Sequence, residues 1–218
     1  MRTIRTLVAG AACVALLPAV GFAQNGRSFT DSWFWGAKGG VTTFESASER
    51  VTAPHVGAEW LITRSRVALA ISVEQAFFET VAGVFDPTSV GSVRAVDVTD
   101  LRRYHMGLML FPKRFGALRP YGGLGLAINV VQDAAPRGSF TSPASQDTIF
   151  RRVDDQSSRA SLVVTAGLQA QYSRVSVFGQ LSSMATRSNF LLNGSANTFM
   201  LEGGIRYNLV GAIESLKK

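Results

Sequence analysis

One cysteine, Cys13, is all the chain has, and it lies close to the N-terminus. Everything after it is therefore unable to form a disulfide or a thiolate zinc centre. Histidine is almost as scarce, with only His55 and His105. Charge is thin too, at 17% of residues, less than an ordinary soluble surface carries. Beyond the first two dozen residues no apolar run is long enough to cross a bilayer as a helix. What the chain does have is glycine and alternation: strand-like segments in which apolar residues take turns with small or polar ones.

Residues 1–23 have the three parts of a signal peptide: basic Arg2 and Arg5, an apolar run from Leu7 to Leu17, and Gly21-Phe22-Ala23 with small residues for the peptidase. The run is too short for a spanning anchor, which needs about 20 residues. A lipoprotein cut before Cys13 would split that run, and Gly10-Ala11-Ala12 lacks the usual upstream leucine. Cleavage after Ala23 removes two of 22 basic residues, leaving 20 against 15 acidic and a net charge of +5. A basic excess suits nucleic acid or an anionic membrane surface. Export argues against nucleic acid.

The last stretch displays the alternation. Phe199, Leu201, Gly203, Ile205, Tyr207 and Leu209 fall on one face, and Thr198, Met200, Glu202, Gly204, Arg206 and Asn208 on the other. Period two means a strand between two environments. Eight such strands are expected: 33–44, 54–63, 66–78, 101–111, 120–131, 159–172, 174–184 and 198–209. Each approaches the ~9–11 residues of a tilted membrane strand. Short connections (64–65, 112–119, 173–174) alternate with long ones (45–53, 79–100, 132–158, 185–197). That asymmetry belongs to outer-membrane barrels, with short periplasmic turns and long outer loops. The expected fold is all-β: an eight-stranded antiparallel up-and-down transmembrane β-barrel. Its division is a signal peptide (1–23), an N-terminal periplasmic segment (24–32), the barrel (33–209) and a C-terminal periplasmic tail (210–218). The longest connection, 132–158, is rich in Ser, Asp and Pro and is read as a mobile loop.

A soluble barrel also alternates, but with its polar face outward. Here the apolar face is nearly unbroken, as in Leu124, Leu126, Ile128 and Val130, or Val67, Leu69, Ile71 and Val73. The opposite face is mostly Gly, Ala, Ser and Gln with isolated charges. Aromatic residues gather at strand ends: Trp33, Trp35, Trp60, Tyr172 and Tyr207 near the short turns, Tyr104 and Phe199 near the long loops. Amphipathic rings prefer the two bilayer interfaces, so these seven form an expected interfacial girdle.

The segment Leu118-Arg119-Pro120-Tyr121-Gly122-Gly123-Leu124-Gly125-Leu126 resembles the Pro-Tyr-x-Gly-x-Gly strand of small outer-membrane barrels of the OmpA/OmpX-like type. The ending Gly203-Gly204-Ile205-Arg206-Tyr207-Asn208-Leu209 is similar to their last strand. One departure stands out: such strands commonly close on an aromatic residue, whereas Leu209 takes that place and 211–218 follow. The resemblance implies the cell outer membrane as location. Its lipids and the barrel-assembly machinery are the implied partners, the chain being a monomer.

By parity the lumen receives Lys38, Glu59, Glu74, Arg103, His105, Glu202 and Arg206. An eight-stranded barrel is just wide enough to be filled by side chains, so these charges must pair. A first hairpin turning about Glu49 sets Lys38 opposite Glu59 and predicts a Glu59–Lys38–Glu202 cluster, with His105 paired to Glu74 on the neighbouring strand. Lipid A deacylases of this barrel type use His-x-Ser, and neither His55-Val56-Gly57 nor His105-Met106-Gly107 offers it. A palmitoyl-transferring type needs an apolar lumen, which these charges deny. No catalytic residue, cofactor or metal site is expected. Asp133, Asp147, Asp154 and Asp155 lack EF-hand spacing. Gly39-Gly40, Gly122-Gly123 and Gly203-Gly204 lack the strand-to-helix setting of a phosphate loop and are read as aids to curvature and lumen space.

The short turns are basic: Arg64, Arg66, Lys113, Arg114, Arg119 and Arg174, with Lys217 and Lys218 on the tail. They are expected to meet lipid headgroups of the inner leaflet. The functional expectation is an outer-membrane protein with a structural or surface-interaction role and a side-chain-filled lumen. The alternatives are a narrow, low-conductance pore, where buried ion pairs would exchange partners, and a lipid-modifying enzyme. The sequence names no surface ligand.

Overall fold

The alternating segments become eight antiparallel strands that hydrogen-bond in chain order, and the last pairs with the first to close the ring. They are β1 (Ser32–Glu45), β2 (Arg50–Arg64), β3 (Val67–Phe85), β4 (Val93–Leu110), β5 (Leu118–Pro136), β6 (Ser158–Tyr172), β7 (Val175–Met184) and β8 (Thr198–Gly211). An α-helix, α1 (Pro143–Gln156), lies between β5 and β6. These elements belong to a computed structural model that describes residues 29–46, 49–185, 189–192 and 197–211. The expected signal peptide, most of the N-terminal segment, Lys217 and Lys218 lie outside the described residues. No described helix is long and apolar enough to cross a membrane.

Three strands run well past their expected ends. β3 continues to Phe85, β4 begins at Val93 rather than 101, and β5 continues to Pro136. Residues 79–85 add ~23 Å of strand to β3, taking ~3.3 Å per residue. The β3–β4 register shifts between Ala76 and Glu79, and Asp100 on the partner strand is left-handed at φ 56°. Its carboxylate accepts the Phe78 N–H at 3.2 Å. This bulge inverts the parity of β4: Leu101 and Arg103 face inward below it, Val98, Val96 and Arg94 above it.

The connection expected to be a mobile loop is mostly ordered structure. β5 takes its first residues and α1 most of the rest. Ser142 caps α1, its hydroxyl accepting Ser145 N–H at 3.2 Å, and Pro143 sits in the first turn where no N–H is needed. Ile149 and Val153, one turn apart, face the barrel mouth.

The interior is layered. At the short-turn end Phe29, Phe34, Leu61, Met109, Phe111 and Tyr121 form an apolar plug, with the Phe29 and Phe111 rings 4.7 Å apart. At the long-loop end Val84, Val96, Val98 and Leu101 pack with Ile149, Val153 and Phe190 to Leu192 into a second plug. The paired lumen charges Lys38, Glu59, Glu74, Arg103, Glu202 and Arg206 lie between them. The outer wall is apolar instead: Leu108, Leu124 and Leu201 are each at least 60% exposed. The chain is thus polar inside and greasy outside over its middle, the inverse of a soluble barrel.

Candidate functional site

The middle layer is a belt of paired charges to which every strand contributes. Lys38 on β1 lies between two carboxylates, its Nζ 2.5 Å from Glu74 Oε1 and 3.0 Å from Glu202 Oε1. Glu74 also accepts from Arg103 Nη1 at 2.9 Å and from the Ser72 hydroxyl at 2.9 Å. Arg103 turns its Nε to Asn129 Oδ1 at 3.0 Å. Glu202 accepts from Gln180 Nε2 at 2.7 Å, and the His55 Nε2 stands 3.2 Å from its other oxygen. Tyr121 donates to Gln180 at 2.9 Å, joining β5 to β7.

Arg206 is fully buried. Its Nε meets Glu59 Oε1 at 2.5 Å, its Nη1 meets Gln169 Oε1 at 2.5 Å, and its guanidinium lies 3.7 Å over the Phe178 ring. Lys38, Arg103 and Arg206 balance Glu59, Glu74 and Glu202 one for one. Such compensation is what a sealed lumen demands, because an unpaired buried charge costs several kcal/mol.

The expected cluster is therefore corrected in its membership. Lys38 does bind Glu202, but its second carboxylate is Glu74, not Glu59. The first hairpin turns two residues' register away from the assumed centre, so Lys38 stands opposite Gly57, and Glu59 opposite Gly36. Glu59 then meets Arg206, which also registers with Gly36 from the other side. The expected His105–Glu74 pair is not formed either. Register puts Arg103 opposite Glu74, and His105 opposite Ser72. The imidazole of His105 fills the space above Gly125, where a Cβ would stand 2.4 Å from its Nε2.

Sequence reasoning missed His55, which is enclosed against Glu202. Its signal was available, since it shares strand and parity with Glu59. The neutral partners Gln169, Gln180, Asn129 and Tyr121 were missed for another reason: polar uncharged residues of strand parity are too common to single out.

Outside the barrel, the seven expected girdle residues, Trp33, Trp35, Trp60, Tyr104, Tyr172, Phe199 and Tyr207, all point outward and are 37% to 52% exposed. Trp60 meets Trp33 and Trp35 edge-on, with centroids 6.0 and 5.5 Å apart. At the short-turn rim Arg64, Arg66, Lys113, Arg114 and Arg174 are exposed, whereas Arg119 is half-buried with its guanidinium 4.4 Å over Phe29. Asp31 stands at the same rim, just before β1.

At the far end the raised strands are pinned to α1 and its approach. Arg94 bonds Asp86 Oδ2 at 2.6 Å and the Arg137 carbonyl at 2.6 Å, joining the β3–β4 tip to the end of β5. The Thr88 hydroxyl, donating at 2.7 Å, and Arg94 hold the Asp86 carboxyl below the usual carboxylate range. Arg152 of α1 reaches the Phe85 carbonyl and covers its ring at 5.3 Å.

No protein-family model and no curated protein matches the chain. Among solved structures, neisserial surface protein A is similar with a TM-score of 0.55 and 11% identity, over 81% of this chain and 97% of that one. The attachment invasion locus protein Ail of Yersinia pestis, solved with the heparin analogue sucrose octasulfate, gives 0.49 and 12%, over 83% and 99%. At such identity the first likeness is one of fold, and that fold is the small eight-stranded outer-membrane barrel.

Proposed function

We propose that the protein is a sealed outer-membrane barrel with a structural and surface-interaction role, contacting the outside through the β3–β4–β5 extension and α1. The observation that carries this reading is the lumen: a charge-balanced belt closed by an apolar plug at each end. A solute path would have to break both plugs and the belt. Planar-bilayer recording of the refolded chain should therefore give no stepwise conductance at physiological salt. Resolved channel steps would overturn the reading in favour of the narrow pore. Lipid chemistry has less support, because both imidazoles point into the lumen and His55 is held against Glu202.

The apolar outer wall and its two rows of rings support a bilayer seat. Phospholipid headgroups then face the basic rim, each exposed cation contributing ~1 kcal/mol near an anionic surface. Insertion into anionic vesicles should exceed insertion into neutral ones, and the excess should vanish in ~1 M salt, where the Debye length is ~3 Å. Equal insertion into both lipids, indifferent to salt, would leave the rim without that role.

A further inference from the structure

Of the six belt charges, Lys38, Glu202 and Arg206 lie on the chain's first and last strands, which meet, and Glu59 lies on the adjoining β2. Across β1 and β8 the lumen-facing registered pairs include Gly36 with Arg206, Lys38 with Gly204, and Gly40 with Glu202. One member of each is a glycine, so none of these long side chains meets a direct partner. They reach over instead. Arg206 crosses Gly36 to Glu59 on β2, and Glu202 crosses Gly40 to His55 on β2. The glycines are required for this: a Cβ on Gly36 would stand 3.0 Å from Glu59 Oε1 and 3.1 Å from Arg206 Cγ. Lys38 adds the third strap, from β1 to Glu202 on β8 and Glu74 on β3. On the outer face Gly39 registers with Gly203, again without side chains to hold the pair. The β4–β5 junction also has glycine pairs, Gly107–Gly125, Met109–Gly123 and Leu110–Gly122. But it carries the unbroken outer run Tyr104–Ile128, Met106–Leu126 and Leu108–Leu124 and a direct lumen pair, Arg103–Asn129, whereas the seam keeps Trp35–Tyr207 and Val41–Leu201 on either side of its glycines.

We propose that the lumen ion pairs are the closing latch of the barrel: a clasp from β8 over β1 to β2 and β3, without which this seam opens ahead of the rest of the wall. Two physical facts favour the position. Cross-strand side-chain pairs are the unit of sheet stabilisation, and this seam has replaced several of them with glycine. The seam also joins the residues farthest apart in sequence, 147 apart for Glu59 and Arg206, so its closure carries the largest loop entropy. The charged groups are attractive over a longer range than packing contacts, and they are gathered at the junction that must be brought together from farthest away.

The test is amide hydrogen exchange, read strand by strand, on the full barrel refolded in lipid nanodiscs. Glu59→Gln/Glu202→Gln removes the carboxylate charge from both clasp positions without changing shape. It should speed exchange of β1 and β8 amides at least tenfold relative to β4 and β5. Met109→Ala, in the lower plug, should weaken the barrel without that selectivity. A seam disulfide between the registered outward positions, Val41→Cys/Leu201→Cys with Cys13→Ser, should return seam exchange in the Glu59→Gln/Glu202→Gln variant to the parent rate. A Glu59→Gln/Glu202→Gln variant that refolds only with this disulfide closed supports the latch. One that refolds with neither, that exchanges equally on all strands, or that leaves the seam as slow as the parent overturns it.

Discussion

Arg206→Met should lower the unfolding free energy by about 3–5 kcal/mol, the usual cost of stranding the partner of a buried ion pair. The measurement is the urea midpoint of the refolded barrel. Arg206 is the cation bonded to Glu59 and also the donor to Gln169. Lys38 cannot take over, because Glu74 and Glu202 already hold its ammonium. Adding Glu59→Gln should recover most of the loss, since a neutral amide needs no cation. Lys38→Met should cost less than Arg206→Met, because each of its carboxylates keeps another partner: Arg103 for Glu74 and Gln180 for Glu202. An Arg206→Met midpoint equal to the parent's, or a double variant no better than the single, would contradict this account of the belt.

Gly40→Ala should cost about 3 kcal/mol, the upper end of overpacking, whereas Gly179→Ala should move stability by less than ~0.5 kcal/mol. The two substitutions add the same methyl group to mid-strand glycines. A Cβ on Gly40 would stand 2.0 Å from the Leu201 carbonyl oxygen, which is the backbone of β8 and cannot rotate away. A Cβ on Gly179 would come no closer than 3.9 Å to the Glu202 carbonyl oxygen. Gly204→Ala belongs with the first, its Cβ 2.4 Å from the Ala37 carbonyl oxygen and 2.7 Å from the Phe178 ring. Urea unfolding of the three variants side by side checks the ranking. Equal midpoints for Gly40→Ala and Gly179→Ala would mean that the seam backbones yield more easily than their approach implies.

The face of each strand was legible in the sequence because one-residue alternation leaves no freedom: if Glu202 points inward, so does Arg206. Which charge meets which was not legible. Pairing depends on register, and register depends on where each hairpin turns. A two-residue displacement of the first hairpin is enough to hand Glu59 from Lys38 to Arg206. The raised half of β4 was hidden by a single residue. Asp100 breaks the alternation, so Val93 to Thr99 fall out of phase with Leu101 to Leu110 although the strand runs through. Helix α1 left a clearer trace, Ser142-Pro143 followed by Ile149 and Val153 one turn apart, but the Ser-, Asp- and Pro-rich composition around it reads as loop.

A barrel seated in the outer membrane as proposed, with the short turns inside and the α1 cap outside, fixes which residues an external reagent can reach. Impermeant-maleimide labelling of single cysteines in intact cells tests that seat and orientation most directly, because the chain past Cys13 has no cysteine of its own. Phe150, on α1, and Phe115, in the β4–β5 turn, are 46% and 59% exposed at opposite ends of the barrel. Phe150→Cys should label in intact cells, and Phe115→Cys only after the outer membrane is permeabilised. Labelling of Phe115→Cys in intact cells, with Phe150→Cys silent, would contradict the account.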